Sequence, residues 1–303
     1  MARMTPELTV VLDKLSYLEG PRWHEGRVWV SDFYTHQVLS ALPNGSDPRV
    51  EAEVPTQPSG LGWLPDGRLL IVSMRDHRLL RREASGELVV HADLSEFCTG
   101  HLNDMVVDSA GRAYVGNFGF DLMAGDDMRT AALVRVDPDG AATQVADDLY
   151  FPNGAAIIRN GSTGSDLVVA ETLGNRISAF ALGVDGSVGE RRDWATFGDP
   201  PAGRAFGEVL AALVVGADGI CADAEGAVWA ADALGNRAVR IVGGEIVQTV
   251  DAGTGVFAVA LGGDDGHTLF LCTAPSFAEH ERRDTRDAVL LATRVEVPAT
   301  IGS

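Results

Sequence analysis

The sequence predicts an all-β fold, a six-bladed β-propeller formed as one domain over residues 1–303, on three observations. A unit of apolar strand, glycine-bearing turn and second apolar strand comes back six times. The turns of successive copies are about 40 to 60 residues apart, the length of a four-stranded blade. Helix signals are few against 35 glycines and many DG, NG and GG pairs that mark tight turns.

The copies follow in order along the chain. The first is LEGPRWHEGRVWV (Leu18 to Val30), the second SGLGWLPDGRLLIV (Ser59 to Val72) and the third LNDMVVDSAGRAYV (Leu102 to Val115). The fourth, PNGAAIIRNGSTGSDLVVA (Pro152 to Ala170), has a longer turn; the fifth is DGICADAEGAVWA (Asp218 to Ala230) and the sixth VFAVALGGDDGHTLFL (Val256 to Leu271). Gly26, Gly67, Gly111, Gly164, Gly226 and Gly266 mark the turns. Third strands are expected at Gln37 to Ala41, Arg78 to Arg82, Leu133 to Val136, Ile177 to Ala181 and Ala238 to Val242, with outer strands such as Leu88 to His91 beyond them. Glu7 to Leu12 and Ala288 to Val297 are two further strand runs at opposite ends of the chain. One is expected to complete a blade begun by the other, removing an exposed sheet edge.

Hydrophobic residues make up 46% of the chain and charged residues 22%, the composition of a globular protein with a large core. With 24 Lys and Arg against 43 Asp and Glu, the formal net charge is -19. Such a surface repels phosphate backbones and anionic lipid, so neither a nucleic-acid nor a membrane partner is expected. Met1 to Val11 lacks the pattern of a secretory signal, and no stretch approaches the roughly 20 apolar residues of a membrane span. Cys98, Cys221 and Cys272 are widely spaced, odd in number and set in strand-like runs. They read as reduced thiols, so the expected compartment is the cytoplasm.

In a propeller the innermost strands line one channel, so equivalent first positions meet at one mouth. Those positions hold Glu19, Ser59, Asn103, Asn153, Asp218 and the Val256–Phe257 pair. Four of the six carry carboxylate or carboxamide oxygens. Burying such groups without partners is costly, and a hard cation such as Ca²⁺, Mg²⁺ or Mn²⁺ supplies a partner. The alternative is that they satisfy strand ends and turns through local hydrogen bonds, as Asn and Asp do.

The runs LEGPRW around Glu19, HLNDMVVDSAGRAYVG from His101 to Gly116, FPNGAAI around Asn153 and ADGICADAEGAVWAA around Asp218 resemble the regucalcin and gluconolactonase family. That group also contains luciferin-regenerating enzymes and the senescence-marker-protein-like lactonases. The resemblance covers essentially the whole chain. It implies a divalent-metal-dependent lactonase with a metal site at the mouth of the channel. By the same resemblance, Glu19, Asn153 and Asp218 are the metal ligands, and Asn103 touches substrate or completes the metal shell. Calcium is the first expectation for the ion, with zinc, magnesium and manganese as the other candidates. Sugar-lactone members commonly carry Arg two residues before the substrate Asn, where this chain has His101, which offers fewer donors.

The expected reaction is opening of a small lactone or ester by a metal-polarised carbonyl and an activated water. Asp218 is assigned to the proton of that water, Asn103 to orienting the carbonyl and His101 to holding substrate. A phosphotriesterase-like hydrolase, a hydrolase or cyclase of a hydrophobic metabolite, and a calcium-binding propeller without catalysis are the alternatives. No nucleophile elbow, H-E-x-x-H, C-x-x-C or phosphate loop is present, and GSTGS (Gly161 to Ser165) reads as a loose turn. DPDG (Asp137 to Gly140) reads as a hairpin turn and Asn160-Gly161-Ser162 as an idle glycosylation sequon. The stretch from Ser187 to Ala217 is long for a blade connection, and is either a lid over the pocket or an ornamental loop.

Overall fold

The repeat folds into hairpins because each turn offers a residue free to take positive φ between two strand-forming runs. In the computed structural model Gly26, Gly67, Gly111, Gly226 and Gly266 all do so, with φ between 75° and 85°. The fourth repeat differs from expectation: Gly161, at φ 69°, makes the turn, and Gly164 is the first residue of the returning strand. The structure describes residues 7–161 and 164–300. Parts of the Met1 to Val11, GSTGS and sequon readings therefore fall on residues outside those described. Asp137 to Gly140 forms the expected turn, closed by a 2.8 Å bond from the Gly140 N–H to the Asp137 carbonyl.

The strands assemble into six four-stranded antiparallel sheets, and the chain is a six-bladed all-β propeller. From the axis outward, the first blade is Leu18–His24, Arg27–Asp32, Gln37–Ala41 and Arg49–Glu53. The next four blades repeat that order and begin at Pro58–Trp63, Leu102–Val107, Pro152–Asn160 and Ala217–Ala222. The sixth begins at Gly255–Gly262 and ends on the N-terminal strand Thr9–Leu15, which pairs with Ala288–Arg294. The two ends of the chain thus close one sheet, as the two unassigned strand runs require. Each inner strand touches the inner strand of the next blade, and the sixth touches the first, which closes the ring.

Second strands such as Leu69–Ser73 and Val228–Asp232 are buried at every position. They are apolar on both faces because each blade is packed between two others, so the alternation of a half-exposed strand is absent. Close packing at the axis also selects glycine. A Cβ on Gly60 would lie 2.5 Å from the Met105 nitrogen, and one on Gly154 would lie 2.3 Å from the Ile220 nitrogen, each in the next blade. Among the described residues no helix is long and apolar enough to cross a membrane.

The stretch beginning at Ser187 divides in two. Val188–Thr196 is the outer strand of the fourth blade and no insertion at all. The remainder carries helix α1 (Phe206–Ala212), followed by the extended residue Leu213. A second short helix, α2 (Glu279–Arg282), interrupts the sixth blade between Thr268–Ala274 and Ala288–Arg294.

Candidate functional site

Glu19, Ser59, Asn103, Asn153 and Asp218 are each the second residue of an inner strand. At that place every inner strand slips register against its neighbour: between Glu19 and Arg22, Pro58 and Leu61, Leu102 and Met105, Pro152 and Ala155, Ala217 and Ile220, and Val256 and Ala258. A bulge bends the strand and re-aims its side chains, which is how Glu19, Asn103, Asn153 and Asp218 come to one cavity.

The segments leading into three of these strands are pinned by buried acids, each the last residue of its blade's second strand. Asp32 accepts hydrogen bonds from the backbone N–H groups of Ser16 and Tyr17 at 3.1 and 3.0 Å. Glu171 accepts from the Tyr150 N–H at 2.7 Å, and Asp232 from the Gly216 N–H at 3.2 Å. Glu171 and Asp232 are themselves fixed by Arg176 and Arg237 at 2.7 and 2.9 Å. Tyr17, Tyr150 and Gly216 lead directly into Glu19, Asn153 and Asp218, so the backbone that aims these three side chains is clamped.

Glu19, Asn103, Asn153 and Asp218 all line one cavity, with about 700 Å³ of empty space including its opening to solvent, at the end of the ring where the inner strands begin. All four are buried. Asn153 donates its Nδ2 to the Thr172 hydroxyl at 3.2 Å and to Asp218 Oδ1. Its Oδ1 is buried without a hydrogen-bond partner. Asn103 donates a long 3.4 Å bond to the Pro152 carbonyl. Ser59 is buried but does not line the cavity, while Phe257 of the sixth blade does.

Burial pushes the carboxyl of Glu19 well above its ordinary range, reinforced by the negative charges of Asp218 and Asp104. Asp218 is raised in the same way, by burial first and by Asp104 next. Tyr17 on the cavity wall is raised by burial and then by Glu19 and Asp218. Asp104 was not legible as a site residue, because its neighbour Asn103 holds the equivalent position in the repeat. It is raised by burial, and Arg22 offsets this through a 2.7 Å ion pair. The single guanidinium of Arg22 thus pairs with Asp104 and also lowers Glu19, while Asp218 is offset only by the Asn153 amide.

This environment fits a hard cation. Two carboxylates and an unpartnered amide oxygen are oxygen donors from three separate blades, and a positive charge beside them would offset both the burial and the mutual repulsion that raise the two carboxyls. Among the described residues no three His, Cys, Asp or Glu side chains are gathered to hold a metal by themselves, so a carboxamide is needed to complete the set.

His101 does not join the site. It is half-buried, its ring packs against Phe118 at 5.8 Å, and Phe118 rather than His101 lines the cavity. The remaining wall is mainly apolar, and part of it, Phe206, Leu210 and Leu213, comes from the stretch read as either a lid or an ornamental loop. Phe118 stacks on Phe151 at 4.3 Å, and Phe206 of α1 meets Phe277 edge to face at 6.3 Å. Of the three cysteines, all unpaired, Cys98 and Cys272 are buried and Cys221 is partly so.

Residues 18–275 match the model of the SMP-30/Gluconolactonase/LRE-like region. Among solved structures, the calcium-binding protein regucalcin from Agrobacterium tumefaciens is similar over 96% of this chain and 94% of its own, at 20% identity and a TM-score of 0.76. A gluconolactonase from Xanthomonas campestris is similar over 96% of this chain and 89% of its own, at 20% identity and a TM-score of 0.72. A luciferin-regenerating enzyme is similar over 97% of each chain, at 17% identity and a TM-score of 0.77. No curated protein matches the sequence.

Proposed function

The chain belongs to the SMP-30/gluconolactonase/LRE-like family, and from that premise we propose that it is a divalent-metal-dependent hydrolase that opens a lactone. The observation that carries this reading is the convergence of Glu19, Asn153 and Asp218 on one cavity, where two carboxylates of raised pKa and a buried, unpartnered amide oxygen of Asn153 are lining groups together. These three residues would hold the ion, with calcium the first candidate. When bound, such an ion would supply Lewis acidity toward an ester carbonyl and lower the pKa of a coordinated water, to a degree that depends on the ion.

The chain's own residues divide the remaining work. Asp218 Oδ1 takes the Asn153 amide, which leaves Oδ2 to receive a proton from the attacking water. Asn103 spends its Nδ2 on a long bond to Pro152, so little is lost when that donor turns to the substrate carbonyl or ring oxygen. Attack forms a bond from water oxygen to the acyl carbon. Collapse breaks the bond from acyl carbon to ring oxygen, and the proton held at Asp218 goes to the leaving alkoxide. The product is a hydroxy acid. The apolar wall excludes bulk water, which strengthens each of these polar contacts.

The test is to strip metal with a chelator and reconstitute with Ca²⁺, Mg²⁺, Mn²⁺ or Zn²⁺ before assaying lactone and phosphotriester panels. Lactone turnover restored by at least one ion, and abolished in a folded Asp218→Asn protein, is the expected result. Turnover that survives chelation or Asp218→Asn overturns the reading. Phosphotriester turnover exceeding lactone turnover moves the assignment to phosphoryl esters on the same site.

A further inference from the structure

Outside its acids and amides, the polar side chains lining the cavity among the described residues are the hydroxyls of Tyr17, Tyr34 and Thr172, and the last of these is already taken by Asn153. No Lys, Arg, His, Gln or Ser lines it among the described residues. The wall is built instead from aromatic and aliphatic side chains, including Phe33, Phe118, Phe151 and Phe257 from the propeller itself. A polyhydroxylated ring would bury several hydroxyl groups against this surface without partners, whereas an apolar ring or tail would exchange water for matching contacts.

The segment that completes the wall is α1. Phe206, Leu210 and Leu213 recur at helical spacing and all three line the cavity, while Val209 faces the core and is fully buried. The segment is fastened at both ends. Asn175 donates to the carbonyls of Asp199 and Ala212 at 2.9 and 3.0 Å and accepts from the Val214 N–H at 2.7 Å. The Met128 N–H donates to the Arg204 carbonyl at 2.8 Å, tying the segment to the loop of the third blade. The apolar wall is therefore preformed. Pre-formed apolar clefts with a few placed polar groups at one end are what bind hydrophobic small molecules with a fixed orientation.

We infer that the substrate is an apolar lactone bearing an alkyl or aromatic group, selected by the α1 wall at Phe206 and Leu210, and that sugar lactones are poor substrates. This inference rests on the hydrolase reading above. It places the reacting carbonyl at the Glu19–Asn153–Asp218 end and the hydrocarbon part against α1 and Phe277.

The experiment compares γ-butyrolactone, γ-hexalactone, γ-nonalactone and D-glucono-1,5-lactone on protein loaded in parallel with Ca²⁺, Mn²⁺ and Zn²⁺. The expected kcat/KM rises about threefold per added methylene until the cavity is filled, in line with burial of each CH₂. γ-Nonalactone then exceeds gluconolactone by at least about a hundredfold. Leu210→Ser and Phe206→Ala, each checked for an unchanged melting curve, are expected to lower the nonalactone-to-gluconolactone ratio by about tenfold. A second readout is calorimetric binding of the non-hydrolysable lactam of nonalactone. Hydrolysis with gluconolactone preferred, or a ratio indifferent to both substitutions, overturns the substrate class and leaves the hydrolase standing. Lactam binding that depends on Leu210 without any lactone turnover overturns the hydrolase and keeps the apolar ligand. Neither binding nor turnover overturns both.

Discussion

Asp232 accepts a hydrogen bond from the backbone N–H of Gly216 at 3.2 Å, two residues ahead of Asp218. The same carboxylate takes Arg237 at 2.9 Å and the Gly235 N–H at 3.2 Å, and it is fully buried. Asp32 and Glu171 do the equivalent work ahead of Glu19 and Asn153. The three clamps occur in the three blades that supply the proposed ligands.

Asp232→Ala is therefore expected to cost about 1 to 3 kcal/mol of stability, the usual loss when a buried acceptor is removed and the N–H groups it held are left unpaired. It is also expected to weaken Ca²⁺ binding at least tenfold in the protein that remains folded. Urea denaturation and calcium titration calorimetry read the two effects separately. Calcium affinity equal to the unaltered protein would show that the clamp holds the fold and not the site.

The raised carboxyls of Glu19 and Asp218 set a pH dependence for the metal-free protein. Their unfolded values are near 4, so above that pH the folded state binds more protons than the unfolded state. With the folded state holding the excess, stability falls as pH rises from about 4 through the raised values. Melting of chelator-treated protein between pH 4.5 and 8 is expected to fall more steeply than melting of Glu19→Gln/Asp218→Asn. Added Ca²⁺ should recover more stability at the upper end of the range, where protons no longer compete. Parallel slopes for the two proteins would contradict this.

Arg22 and Asp104 form a partly buried pair near the axis, at 2.7 Å. Arg22→Met leaves Asp104 in the interior beside two other acids and should cost about 3 to 5 kcal/mol. Adding Asp104→Asn removes the stranded charge and is expected to restore at least half of that loss. A double variant as unstable as Arg22→Met alone would assign the cost to packing of the arginine stem.

Tyr34 lines the cavity, and its hydroxyl is buried without a hydrogen-bond partner. Tyr34→Phe removes an unsatisfied donor and should leave stability unchanged or raise it by up to about 1 kcal/mol. If substrate supplies the missing acceptor, KM rises severalfold while kcat holds. Loss of stability beyond 1 kcal/mol would show that the hydroxyl is already satisfied in the free protein.

The ring and its closure were legible because turn glycines and paired apolar runs report local geometry that each repeat must satisfy on its own. The register that groups the four candidate side chains was legible for the same reason. Glu19, Asn103, Asn153 and Asp218 occupy one register of one repeat, and the structure brings all four to one cavity. The shift from Gly164 to Gly161 in the fourth repeat is a lengthened turn with two glycines three residues apart, either able to take positive φ. What could not be read was anything set by contacts between blades. Asp104 owes its importance to Arg22, far away in sequence, and α1 owes its place over the cavity to hydrogen bonds from Asn175 and Met128. His101 shares a strand entrance with Asn103, yet Phe118 takes the cavity wall in its place.

The pairing of Thr9–Leu15 with Ala288–Arg294 has a consequence for biogenesis. During synthesis Thr9–Leu15 emerges before the other strands of its sheet but finds its partner only after the five intervening blades have left the ribosome. Five blades can form behind it while the circle stays open, with apolar blade faces uncovered. Joining Thr9–Leu15 to Ala288–Arg294 is thus expected to come late, since it is a pairing of high sequence separation. A deletion of the leading strand should yield a protein that collapses but aggregates before it becomes a ring.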